Sequence, residues 1–304
     1  MERRSAEAVN TSEAKRTRFY SEGSDDVNNK PIGVFDSGMG GLTAVKCLQH
    51  LAPRENIVFF GDNARIPYGA NSVETLTTYA LQNISFLLSH DVKIIVAACG
   101  TISATLANRY IEKVPVPFVG VIQSAAATAA KASRNKKIGI LATEASINSG
   151  AYARALKNID SEIEPYPVAC PLFVPFIEAG KTGRDNKETL DAAQHYLAPL
   201  KSACADTVIL GCTHYPLISG IIGDIMDGAA LIDSGYEAAK HALSLLADSG
   251  DLGDGDGRYD YYLSGETESF KKQANLFLGH ELAGSVHGAS IDSLTINNCF
   301  KDII

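Results

Sequence analysis

The sequence predicts an α/β fold of two pseudo-symmetric lobes, each a mostly parallel sheet flanked by helices, with the active site between them. Short aliphatic runs alternate with stretches of helical apolar spacing along most of the chain. The strand-and-helix plan that opens near residue 31 opens again near residue 137. Two runs, 93–101 and 207–214, end alike: each carries a cysteine (Cys99, Cys212) and then small polar residues past the strand end. In parallel α/β folds that edge is where ligands bind.

Residues 1–30 hold six basic and six acidic side chains and almost no aliphatic ones, which predicts a disordered tail. Order begins with a strand at 31–35, which runs into Asp36, Ser37 and the glycine turn of Gly38, Gly40 and Gly41. That turn has neither dinucleotide nor phosphate-loop spacing, and reads as room for backbone amides to meet a carboxylate. A helix is expected over 43–51, then a strand over 56–60 ending in Gly61 and Asp62. Residues 73–90 have helical spacing at Leu76, Tyr79, Ala80, Asn83, Ile84, Leu87 and Leu88. The first cysteine strand follows, then a helix over about 102–112, a strand at 116–121 and a small-residue helix at 125–132. The second round starts with a strand at 137–143, and a strand at 162–168 leads to Cys170 and Pro171. A helix at 186–203 precedes the second cysteine strand, and 231–235 is a strand and turn before a helix at 236–248. A Gly- and Asp-rich loop at 249–257, a strand at 260–264 and a helix at 266–278 complete the pattern.

The chain has 304 residues, enough for two ordinary domains, with 45% apolar content. A net charge of −8 argues against nucleic acid or an anionic membrane as partner. No apolar stretch is long enough to cross a bilayer, and no secretory signal is visible. Six cysteines in a chain of this length do not make a disulfide framework, which favours a reducing cytoplasm.

A free cysteine usually just packs in a core. Two cysteines at matching strand ends suggest instead two opposed thiols, which can take a proton from one face of a carbon and return one to the other. The alternative route to an α-carbanion uses pyridoxal phosphate, and nothing marks a lysine for it, so no cofactor is expected. Asp36 is either a turn-capping aspartate or a charge that orients the substrate ammonium or the nearest cysteine. His214, two residues after Cys212, is a structural histidine or a proton partner for that thiol. A Cys-x-His pair could begin a zinc site, but no second cluster has ligand spacing, and no metal is expected. Glu178 lies in a mostly apolar run (173–178) that could raise its pKa, or is a solvated helix glutamate.

The segments 35–41, 61–69 with Pro67, Tyr68 and Gly69, the strands of Cys99 and of Cys212, Thr213 and His214, and 170–175, 232–235 and 264–279 together resemble the glutamate racemases of the aspartate/glutamate racemase family. The resemblance spans about residues 31 to 280. It implies cofactor-independent interconversion of L- and D-glutamate, supplying D-glutamate for peptidoglycan, with Cys99 and Cys212 as paired proton donor and acceptor. It places substrate contacts on Asp36, Ser37, Tyr68, Gly69, Gly100, Thr101, Thr213 and His214, with Asp36, Glu178 and His214 as auxiliary polar groups. It also implies a homodimer and a discontinuous first lobe, 31–126 with 236–284, around a second lobe at 127–235. Residues 285–304 fall outside it as a C-terminal extension. Two positions depart from the family pattern: Gly100 stands where asparagine is usual, so only a backbone contact carries over, and Ser146 stands where threonine is frequent. The alternatives are an aspartate racemase, whose residue two after the second cysteine is typically glutamate rather than histidine, and a non-catalytic binding protein on the same scaffold.

Overall fold

The computed structural model describes residues 28–303. The tail expected at 1–30 therefore lies outside the described residues, except for 28–30. Those three are held in place: Lys30 Nζ pairs with Asp91 Oδ1 at 3.0 Å, and the Asn28 carbonyl accepts from Lys93 Nζ at 3.0 Å.

Two parallel sheets organise the chain. The first has the strand order β10-β9-β2-β1-β3-β4 and the second β6-β5-β7-β8. The strands are β1 (Ile32–Asp36), β2 (Ile57–Gly61), β3 (Ile94–Ala97), β4 (Phe118–Gly120), β5 (Lys137–Ala142), β6 (Glu164–Ala169), β7 (Thr207–Leu210), β8 (Ala230–Asp233), β9 (Tyr259–Leu263) and β10 (Ser285–Gly288). The order 2-1-3-4 recurs as 6-5-7-8, so β3 and β7 occupy equivalent places. Each lies just across the point where strand order reverses, beside β1 and β5 respectively. Ligands bind at such reversals because neighbouring loops diverge there and leave a crevice. The β3 and β7 side chains are buried throughout, as expected of strands covered on both faces.

The lobes share one apolar core. It joins Ile32 and Val34 of the first sheet to Ile138 and Ile140 of the second. The helices Leu42–Leu51, Val121–Ala132 and Ser234–Ser249 pack on one another and bridge the sheets. A second cluster, including Phe35, Ile84 and Ile95, fills the other face of the first sheet.

Four expectations are corrected. The helix expected at 102–112 is two short ones, Gly100–Thr105 and Asn108–Ile111, and the first starts directly after Cys99. Thr105 turns its hydroxyl back to the Thr101 carbonyl, a bond that competes with helix continuation. The helix expected at 125–132 begins at Val121, whose side chain and that of Ile122 are buried. The turn at 231–235 is a helix cap: Asp233 Oδ1 accepts from the Gly235 and Tyr236 amides at 2.9 and 3.0 Å, and the helix runs from Ser234. Residues 285–303 are no separate extension. They supply β10, which pairs with β9, and a strap whose Leu294 and Phe300 enter the second core cluster.

Candidate active site

Cys99 and Cys212 follow β3 and β7 and are 4% and 8% exposed. The two strand ends meet backbone to backbone. A Cβ on Gly100 would stand 2.5 Å from the Gly211 carbonyl oxygen, closer than any carbon can approach, so glycine is what lets the ends touch. The buried Tyr152 closes this contact from the second lobe. Its ring lies against Gly211, and its hydroxyl donates to the Gly211 carbonyl at 3.5 Å.

On the first lobe, Asp36 ends β1 and is buried. Its Oδ2 accepts from the Gly41 amide at 2.9 Å and the Gly38 amide at 3.2 Å. The glycine turn thus folds its amides onto the chain's own carboxylate, and these two are not free for a ligand's. Burial, and then the Asp36 charge, push the Cys99 thiol up to about 12. The Ile102 amide and Ser37, beside Cys99, pull the Cys99 pKa down, but more weakly than these opposing effects. Tyr68 is buried, and its hydroxyl bonds to Asp62 and, at 3.1 Å, to Asn83. Burial and the Asp62 charge push that phenol far up. Asp62 also pairs with Arg65 at 2.5 Å and accepts from Ser264 at 2.7 Å, so Tyr68 belongs to a polar knot within its own lobe. Gly69 is exposed, and a Cβ there would lie 3.9 Å from Ala145 of the second lobe.

On the second lobe, Cys212, Thr213 and His214 make one turn. His214 Nδ1 lies 3.8 Å from Cys212 Sγ and 3.4 Å from Thr213 Oγ1, while Nε2 is 3.1 Å from Glu178 Oε1. Burial alone would lower the His214 pKa; the hydrogen bonds to Cys212 and Glu178, with the charges of Cys212 and Asp36, outweigh it and raise it to about 10. These neighbours favour the imidazolium, in which both N–H groups can donate. Glu178 departs from the apolar setting read from sequence. Its side chain is 40% exposed and turns to His214 from the end of the helix Phe173–Glu178.

Thr101 faces the second lobe, with its hydroxyl 3.3 Å from that of Thr143, which in turn lies 3.0 Å from Ser146 Oγ. The structure thus gathers Asp36, Ser37, Cys99, Gly100, Thr101, Cys212, Thr213, His214 and Glu178 about one inter-lobe junction. Tyr68 and Gly69 border it.

Sequence reasoning missed three residues here. Tyr152 covers Gly211, Phe277 packs edge-on to the His214 ring at 5.3 Å, and Thr43 bonds across the lobes. Each reads as an ordinary helix residue with no chemical signature in the sequence. Among the described residues, no group of three or more His, Cys, Asp or Glu side chains is placed to hold a metal ion.

The arrangement is suited to acid–base chemistry at two sulfurs brought to one junction. Burial and a neighbouring carboxylate favour the protonated form of one sulfur, and the other lies beside the His214 ring. The family profile described as Asp/Glu/Hydantoin racemase matches residues 40–242. The chain is 41% identical over 268 residues to a protein of Geobacter metallireducens named glutamate racemase, covering 87% of this chain and 98% of that one. Among solved structures, the glutamate racemase of Francisella tularensis in complex with D-glutamate superposes with a TM-score of 0.81 at 37% identity, over 88% of this chain and 99% of that chain. A glutamate racemase isoform of Bacillus anthracis gives a TM-score of 0.82 at 32% identity, over 87% and 98%.

Proposed function

The chain belongs to the Asp/Glu/Hydantoin racemase family, and we propose that it interconverts L- and D-glutamate by cofactor-independent proton transfer between Cys99 and Cys212. The observation that carries this reading is the pair of buried thiols delivered by equivalent strands to one inter-lobe junction. A packing role for either cysteine does not require that symmetry.

Bound with its α-carbon between the sulfurs, glutamate loses its α-proton to one thiolate and gains one from the opposite thiol, which inverts the centre. The ligand-free protein is set for one direction. Cys99, held near 12 by burial and by Asp36, is a thiol and serves as donor. The His214 imidazolium lies against Cys212 and stabilises negative charge on that sulfur, so Cys212 serves as base. Glu178 holds the imidazolium in place from the far side. The opposite direction starts from the other protonation state. The ammonium of bound glutamate, drawn to Asp36, offsets the charge that keeps Cys99 protonated. Ser37, Tyr68, Gly69, Gly100, Thr101 and Thr213 form the wall around the substrate, Gly100 through its backbone alone.

The product, D-glutamate, feeds peptidoglycan synthesis. The reading extends to a homodimer in the cytoplasm, which suits six cysteines that are all free. No described helix is long and apolar enough to cross a membrane.

Separate Cys99→Ala and Cys212→Ala variants test the proposal. Each should keep the melting temperature within a few degrees and lose inversion of glutamate, assayed by chiral chromatography with no cofactor added. Undiminished inversion by either variant would remove that cysteine from the mechanism.

A further inference from the structure

We propose that Thr43 is a positioning residue that sets the Cys212 turn at working distance from the first lobe. The proposal rests on the two-cysteine reading above. Thr43 is the second residue of the helix Leu42–Leu51 and is buried. A buried hydroxyl so placed usually returns to its own turn, and Thr43 Oγ1 does lie 2.9 Å from the Gly40 carbonyl. It lies equally close, 2.9 Å, to the carbonyl of Thr213, a residue of the other lobe and 170 positions away. That carbonyl sits between Cys212 and His214 in sequence. The hydroxyl therefore joins the turn that holds Asp36 to the turn that holds the second thiol and its imidazolium.

Gly40 makes the same junction from the side. A Cβ there would stand 2.2 Å from Thr213 Oγ1 and 2.6 Å from His214 Nδ1. The first-lobe turn is thus shaped to receive the Cys212 turn directly, and Thr43 contributes a polar tie to it. Across the lobes, Thr101 bonds Thr143 beside Cys99, whereas Thr43 bonds the turn of Cys212. Loss of the Thr43 hydroxyl should therefore weaken proton transfer at Cys212 and leave transfer at Cys99 unchanged. A general loss of stability would affect both alike.

A racemase with an equilibrium constant of one must show the same kcat/KM in both directions, so the selective effect appears in isotope effects. When proton transfer at Cys212 becomes the slower step, α-deuterated substrate shows its full isotope effect only in the direction where Cys212 is the base. In the other direction the slow step moves a solvent-derived proton, and the substrate isotope effect shrinks while the solvent isotope effect grows.

Thr43→Val keeps the shape and removes the hydroxyl, and Thr43→Ser restores it. For Thr43→Val the expected result is a loss of about fivefold in kcat/KM, the size of one ordinary hydrogen bond. It should be accompanied by substrate isotope effects that become unequal between L- and D-glutamate, in the same sense as in Cys212→Ser. Thr43→Ser should return both to wild-type values. Isotope effects that stay equal in the two directions, at any level of activity, would overturn the proposal, and so would a serine variant as impaired as the valine one. A wild-type protein that inverts no glutamate would instead remove the two-cysteine reading on which it stands.

Discussion

At residue scale, Cys99 and Cys212 differ in what faces them, a carboxylate and an imidazolium respectively. His214 carries the pH dependence. Its pKa in the folded protein, about 10, lies above its ordinary 6.5. The fold thus favours the protonated ring, and the stabilisation is complete below about 6.5 and lost as pH rises through about 10. His214→Asn should narrow its stability deficit against wild type between pH 7 and pH 10, measured by urea denaturation at both values. It should also lower kcat by about a hundredfold at neutral pH, in the range of lost acid–base assistance. A deficit that is constant across that interval would mean that the ring is neutral in the fold. Gly100 gives a second prediction at this scale. Gly100→Ala drives a methyl group against the Gly211 carbonyl and should cost about 1–3 kcal/mol in stability, with a fall in kcat/KM as the strand ends part. Wild-type denaturant midpoint and kinetics in this variant would show that the ends do not meet under working conditions. The cysteines, Asp36 and the Cys-x-His spacing could be read from the chain because each ends an aliphatic run. The destination of the Asp36 carboxylate could not, since its partners Gly38 and Gly41 present only backbone amides, which carry no residue signature.

At the scale of elements, strand existence followed from aliphatic runs buried on both faces, as in β3 and β7. Helix boundaries were harder, because the Thr105 back-bond and the Asp233 cap are local competitions that apolar spacing does not register. β10 escaped because its four residues are mostly exposed and lack alternation. It owes its place to pairing with β9 and to the strap after it, tied by Asn297 N to Ser85 Oγ at 2.8 Å and Gln82 Nε2 to the Leu294 carbonyl at 3.0 Å. The base of the first sheet holds a buried ion pair, Lys93 Nζ to Glu55 Oε2 at 2.7 Å. Lys93 also donates to the carbonyls of Asn28 and Asp251, and Glu55 accepts from the Gly253 amide at 2.6 Å. One pair thus fastens the chain before β1 and the Gly- and Asp-rich loop to the sheet. Lys93→Met strands a buried carboxylate and should cost about 3–5 kcal/mol in urea denaturation. Glu55→Gln combined with Lys93→Met should recover part of that loss. A single variant as stable as wild type would mean that Glu55 is neutral or hydrated in the fold.

At the scale of the whole molecule, the repeated strand order 2-1-3-4 and 6-5-7-8 turns one βα plan into two facing crevices. This is why the two cysteines, 113 residues apart in the chain, meet. The repeat could be read from sequence through the two similar strand ends. The way the lobes join could not, since it depends on the helices Val121–Ala132 and Ser234–Ser249, whose small residues allow close packing and carry no chemical mark. The most direct measurement incubates the purified protein with L-glutamate, and separately with L-aspartate, in D2O without added cofactor, followed by chiral separation and mass analysis. Two opposed thiols predict D-glutamate carrying one solvent deuterium at the α-carbon and no comparable inversion of aspartate. A folded protein that inverts neither amino acid, or that yields D-glutamate without solvent deuterium, would contradict proton transfer between Cys99 and Cys212.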